Sequence, residues 1–208
     1  MRLLPVIVLV TLATAAGPAA RSAAQQDDQL IAARTKGRPT APVTMYEISD
    51  FQCPFCAEYA LQTAPTLDRE YVQTGKVRVV FVNLPLPMHR NSVPASELAM
   101  CGARQGKFWP LHDLLFRTQQ RWKGLAEPGS FFLGLADSVG ANRDSLIACV
   151  RDGATRALVR SDAEGAVRSG AHSTPTFYIE GGLVVGAQPV EVFRSVLDSI
   201  VRVTSPTR

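Results

Sequence analysis

Four residues constrain this chain more than any others: Cys53-Pro54-Phe55-Cys56, set between an apolar β-branched run, Val43 to Ser49, and a helix-like run, Ala57 to Tyr71. A Cys-X-X-Cys pair at a strand-to-helix junction puts its first sulfur at the positive end of the helix dipole, beside backbone N–H groups with no intrahelical partner. The thiolate, and not the thiol, attacks a disulfide, so Cys53 is the candidate nucleophile and Cys56 its resolving partner. An exposed helix terminus supplies roughly 0.3–1 kcal/mol, less than the ~1.36 kcal/mol of one pKa unit. A strongly acidic thiol therefore needs direct hydrogen bonds to sulfur as well. The alternatives are a zinc half-site and two inert buried thiols. Zinc requires two more ligands, and Cys101 and Cys149 have no Cys-X-X-Cys or His-X-X-X-His companion, so no metal is expected.

With 208 residues, 46% of them hydrophobic, the chain has material for one sizeable domain with an inserted subdomain. Residues 1–24 read as an export signal: a charged start at Arg2, a run rich in Leu, Val and Ala from Leu3 to Ala16, and small residues up to Ser22-Ala23-Ala24, where cleavage is expected before Gln25. A cut after Ala15 or Ala16 is the alternative. The run is short for a membrane span of about 20 residues, so a soluble periplasmic or extracytoplasmic protein is expected, with an anchor formed by the uncleaved N-terminus as the second reading. Cleavage removes Arg2 and Arg21 and no acidic residue, taking the formal charge from +4 to +2. Without a Lys/Arg cluster, no nucleic-acid partner is expected. Disulfides persist outside the cytosol, and four cysteines fit one catalytic and one structural pair.

Gln25 to Pro42 is polar and holds Gly37, Pro39 and Pro42, so 25–42 reads as a leader or linker with a short helix around Leu30 to Arg34. Val43 to Ser49 reads as a buried strand. A helix follows to Gln73, which Pro65 is expected to kink or break, and Val77 to Leu84 forms a second strand, giving a parallel βαβ unit. From Ser92 to about Thr155 the pattern is helical throughout, with helices over Ser92–Arg104, Lys107–Gln120, Ser130–Val139 and Arg143–Asp152. Phe108, Trp109, Leu111, Leu114, Leu115 and Phe116 form an apolar face read as core. A helix to Gly170, a hairpin of Ser173–Ile179 with Leu183–Gly186, and a last helix over Val190–Val203 complete the domain, 43–203, leaving 204–208 as a tail.

Glu47 is out of place in its strand, because a buried carboxyl is costly unless hydrogen-bonded or protonated. Six residues before Cys53, it reads as a buried proton acceptor for the thiol chemistry, against a satisfied or edge-exposed glutamate. His89 and His112 read as structural or surface residues, and His172 as an exposed loop histidine.

The ordered set Glu47, Asp50-Phe51-Gln52-Cys53-Pro54-Phe55-Cys56, Gly106-Lys107-Phe108-Trp109, His112-Asp113-Leu114-Leu115-Phe116 and Thr174-Pro175-Thr176-Phe177 resembles the DsbA-like thiol-disulfide oxidoreductases of the thioredoxin superfamily. It spans about Pro42 to Val203. The resemblance implies an α/β thioredoxin fold with an inserted helical subdomain, at about 92–155. It implies that Pro175 is a cis-proline facing the cysteine pair and that Thr174 offers its backbone to an extended substrate. Phe55, assigned to substrate contact, stands where the family's namesake has histidine, so one donor to the thiolate is missing. His172-Ser173 replace the apolar residue and glycine of many members. Cys101 and Cys149, on the first and last helices of the insertion, resemble the extra structural disulfide of some members.

The expected activity is oxidation of cysteines in exported polypeptides by thiol-disulfide exchange, without metal or organic cofactor, and with a quinone-linked membrane partner for re-oxidation. A reductase or isomerase on the same fold and a non-catalytic chaperone with structural cysteines are the alternatives.

Overall fold

The computed structural model describes residues 23–204. Strand β2 (Val43–Ser49) and strand β3 (Val77–Asn83) pair in parallel over their whole length, from Val43 opposite Val77 to Ser49 opposite Asn83. Alternation sends Val43, Met45, Glu47 and Ser49 to one face of the sheet, where all four are buried. β4 (Thr176–Ile179) runs antiparallel on the other edge of β2, and the hairpin strand β5 (Gly182–Val185) ends that side. With a short strand β1 (Thr35–Lys36) on the far edge, the order across the five-stranded sheet is β1-β3-β2-β4-β5.

The stretch 25–42, expected to be a leader or linker, is instead part of the fold. Helix α1 (Ala23–Ala33) leads into β1 (Thr35–Lys36), which pairs antiparallel with β3 through Thr35 and Val80. Its polar composition concealed long-range attachments. Leu30 is buried in the helical core, Arg34 ion-pairs with Asp162 (Nη2 to Oδ1 2.9 Å), and Lys36 bonds to Asp68 at 3.0 Å. Most of the expected export signal, 1–24, lies outside the described residues, as do 205–208.

The helix after the cysteines does not break at Pro65. It runs through α2 (Pro54–Glu58), a π-turn over Tyr59–Thr63, α3 (Ala64–Leu67) and a second π-turn over Asp68–Val72. Proline lacks an N–H, and its ring collides with the carbonyl four residues back. The widened turn places Ala64 N–H on the Tyr59 carbonyl, five residues back, so the path adjusts just before the proline.

The helical block comprises α4 (Ser92–Ala103), α5 (Phe108–Arg117), α6 (Gln119–Trp122), α7 (Gly129–Ser138) and α8 (Arg143–Asp152). It buries one core with the end of the sheet, where Phe51 stacks on Phe81 at 5.0 Å and meets Phe116 at 5.1 Å. A second core holds Tyr59, Phe177 and Phe193, the last on α10 (Val190–Thr204), with centroids 4.4 Å and 4.8 Å apart along that chain of rings. Helix α9 (Ala154–Arg168) lies against the opposite face of the sheet, where Ala166 packs with Ile48. Cys101 on α4 and Cys149 on α8 form a disulfide with Cα atoms 5.8 Å apart.

Candidate active site

Cys53 caps α2, with extended backbone angles (φ −70°, ψ 125°), and Pro54 takes the first helical position, where a missing N–H costs nothing. The strand β2 ends four residues earlier, at Ser49, so strand and helix aim the first cysteine at the free N-terminal amides. Cys53 N–H donates to Asp50 O at 3.0 Å, and Gln119 Nε2 donates to the carbonyls of Phe51 (2.8 Å) and Cys53 (2.9 Å). The loop is thus fixed on both sides of the sulfur.

Both cysteines are free thiols, and their surroundings differ. Cys53 keeps 4% of its surface exposed, whereas Cys56 is fully buried. The Cys53 thiol donates to the Thr174 carbonyl at 3.3 Å, and Thr174-Pro175 is a cis peptide. The loop before β4 therefore stands beside the first sulfur. Cys53 is pulled down to about 6, first by a hydrogen bond from the Cys56 side chain, against the opposing effect of burial; Thr174 and the backbone N–H groups of Cys56 and Phe55 add to the lowering. Burial pushes the Cys56 thiol up, and the developing charge on Cys53 adds to it. Two sulfurs three residues apart thus divide into a ready anion and a retained thiol. Phe55, between them in sequence, is 59% exposed.

Asp50 is a site residue that the sequence reading quoted only as part of the resemblance. Its N–H donates to the Cys56 sulfur at 3.4 Å. Its buried carboxylate accepts from Gln52 N (2.7 Å), Leu86 N (2.8 Å), the Ser92 hydroxyl and His89 Nδ1 (2.7 Å). Little local in the chain announces this, because three of the four donors, Leu86, His89 and Ser92, lie 36 to 42 positions away. Gln119 was missed for the same reason.

Glu47 is buried, and desolvation raises its carboxyl to about 7 against the lowering effect of Lys36. It faces a cavity shared with Lys36, Tyr59, Trp109 and His112. The Asp50 amide bonds to the Cys56 sulfur at 3.4 Å, Cys53 is its partner in the pair, and the Ser49 side chain nearby opposes the rise of its pKa. Glu47 and Ser49 are alternate residues on one face of β2, Ser49 being the one at the end of the strand that leads into the cysteine loop. His89 and His112, read as structural or surface residues, are a partner of the Asp50 carboxylate and a buried member of the aromatic core.

Residues 29–199 match the family model described as thioredoxin. A curated relative, the Na(+)/H(+) antiporter NhaA 1 of Salinispora arenicola, is 30% identical over 165 residues, which cover 79% of this chain and 24% of that protein. This chain thus spans about a quarter of the length of the first curated relatives it matches. The probable disulfide bond formation protein D of Bacillus anthracis is 31% identical over 86 residues, 41% of this chain and 40% of its own. Among solved structures, alpha-DsbA1 of Wolbachia pipientis superposes with a TM-score of 0.73 at 20% identity, covering 82% of this chain and 92% of that one.

Proposed function

Since this chain belongs to the thioredoxin family and has a DsbA-like fold, we propose that it is an exported protein-disulfide oxidoreductase that oxidises cysteine pairs of extracytoplasmic polypeptides. The observation that carries this reading is the pairing of a Cys53 thiol lowered to about 6, beside the cis Thr174-Pro175 loop, with a fully buried Cys56.

In the oxidised protein a substrate thiolate attacks the Cys53 sulfur. The Cys53–Cys56 bond breaks, and Cys56 leaves with the electron pair and takes a proton. A second substrate thiolate then attacks the substrate sulfur of the mixed disulfide, releasing Cys53 as the stable thiolate. A client in extended form pairs with the Thr174 backbone, and the exposed Phe55 ring gives it an apolar contact. Glu47, through the Ser49 hydroxyl or a water beside it, exchanges the proton of Cys56.

The oxidising direction is supported by the lowered Cys53 thiol. A thiol of pKa about 6 is mostly ionised at pH 7, which stabilises the dithiol form by about 1.4 kcal/mol and raises a two-electron potential by ~30 mV. Re-oxidation by a quinone-linked membrane protein completes the proposed cycle. Incubation of the oxidised protein with a reduced two-cysteine peptide tests the reading: wild type is expected to form the peptide disulfide and Cys53→Ser to form none. Equilibration with glutathione tests the direction, and a potential as low as that of cytosolic reductants reverses it.

A further inference from the structure

Glu47 Oε1, Trp109 Nε1 and His112 Nε2 are buried without a hydrogen-bond partner among the described protein groups, and all three residues line one cavity of 380 Å³. A buried polar atom left unpaired costs roughly 1–3 kcal/mol. A polar cavity of that size has room for several waters, each taking about 30 Å³ in the liquid. The cavity also has a dry end and a wet end. Glu47 is 3% exposed, whereas Asp113 and Arg117, which also line it, have side chains 47% and 59% exposed. His112 joins the two ends: its Nδ1 lies 2.9 Å from Asp113 Oδ1, and its other ring nitrogen is the unpaired one.

We propose that His112, through water held in this cavity, relays protons between the buried Glu47 carboxyl and the solvent-facing Asp113. This rests on the reading of Glu47 as the proton exchanger for Cys56. During reduction of the Cys53–Cys56 bond, the leaving Cys56 thiolate takes the Glu47 proton. The Glu47 carboxylate regains one from cavity water, which takes one from His112, and His112 is reprotonated by way of Asp113 from solvent. Oxidation runs the same chain backwards, and no charge is left in the core at either end.

The surroundings of His112 suit a relay. Burial holds it below its ordinary pKa, and Asp113 opposes this, so the resting ring is neutral. The neutral ring carries one proton: held on Nε2 it passes inward to cavity water while Nδ1 accepts from Asp113, and held on Nδ1 it passes outward to Asp113 while Nε2 accepts. The other groups packed on the ring are Phe51, Phe81, Phe108, Trp109 and Phe116, none of them a base. The remaining charged groups near the cavity are Lys36 on β1, Asp68 after α3 and Arg117 on α5. Lys36 is held by Asp68 at 3.0 Å and by the Trp109 ring at 4.2 Å, a fixed positive charge that favours the Glu47 carboxylate. Tyr59, with its hydroxyl pushed well up by burial, stays neutral.

Stopped-flow reduction of the oxidised protein by dithiothreitol reads this proton path without any client. The expected result for His112→Ala is a rate at pH 7 lower by at least about tenfold, the scale of a lost acid–base group. Added imidazole should restore that rate in proportion to its concentration, and leave wild type and the equilibrium potential unchanged. Because truncation inside an aromatic core can prevent folding, His112→Gln and Asp113→Asn are measured beside it and should be slowed in the same way. Wild-type rates in all three, or slow rates that imidazole leaves slow in His112→Ala, overturn the relay. Glu47→Gln separates the two levels: if it keeps the wild-type rate, the Glu47 reading itself falls. If it is slow while the His112 and Asp113 variants are not, only the relay falls.

Discussion

The Asp50 amide donates to the Cys56 sulfur at 3.4 Å while the same residue's carbonyl accepts from Cys53 N–H at 3.0 Å. One residue therefore sets the positions of both cysteines, and its own position is fixed by a buried carboxylate with four donors around it.

Removing that carboxylate leaves the amides of Gln52 and Leu86, the Ser92 hydroxyl and His89 without their acceptor. Asp50→Ala is expected to destabilise the protein by roughly 3 kcal/mol or more, as for other buried charged groups that lose a partner. Asp50→Asn keeps one carbonyl acceptor and should lose less. Denaturant melts of the oxidised proteins check this, and equal stability of Asp50→Ala and wild type would refute the clamp.

Cys53 alone is expected to react with iodoacetamide in mildly acidic solution. Its rate in the reduced protein should rise with a midpoint near pH 6, because the Cys56 hydrogen bond and the helix amides favour the anion. Cys56, pushed up and fully buried, should remain unlabelled throughout. Mass spectrometry after timed quenching identifies the labelled cysteine; a midpoint near 9 would remove the special status of the first sulfur.

The Cys101–Cys149 bond closes 48 positions of chain. In the chain-entropy picture a loop of that length is worth about 4 kcal/mol, and native disulfides commonly deliver 2–5. Replacing both cysteines by alanine should lower stability by roughly 2–4 kcal/mol and leave the alkylation midpoint of Cys53 where it was. A shifted midpoint would mean that this bond also shapes the reactive pair.

How much of this was legible depended on the range of the interaction. The strand Val43–Ser49 and the helix Arg143–Asp152 fall where alternation and flanking turns put them, because those patterns are local. The placing of Cys53 at a helix start was legible for the same reason. β1 was not, since two polar residues acquire strand geometry only by pairing with β3. Most of the Asp50 clamp, the amide of Gln119 and the Phe51 and Phe81 rings that meet His112 come from chain distant in sequence. Their residue types were visible, and their convergence was not. Glu47 stands between these cases: a carboxyl in an apolar strand was visible as an anomaly, but the cavity it faces is built from β1, α5 and the helix that carries Tyr59.

The raised Glu47 carboxyl is measurable through stability. It titrates at about 7 in the folded chain, raised from 4.5 mainly by burial, so the folded chain binds this proton more tightly than the unfolded chain does. The stabilisation is fully present below the unfolded value and is lost as pH rises through 7. A shift of that size corresponds to roughly 3 kcal/mol. Glu47→Gln removes the titration and keeps the shape of the side chain. The variant should therefore match wild type near pH 4.5 and become the more stable protein above pH 7, by up to roughly 3 kcal/mol. The comparison is made on the oxidised forms, since Cys53 in the reduced protein acts in the opposite sense, its contribution growing from pH 6 to 9. Other titrating groups are common to both proteins and cancel in the difference. A stability difference that stays flat from pH 4.5 to 8.5 would show that the carboxyl titrates alike in folded and unfolded chains, and the proton exchange assigned to Glu47 would lose its basis.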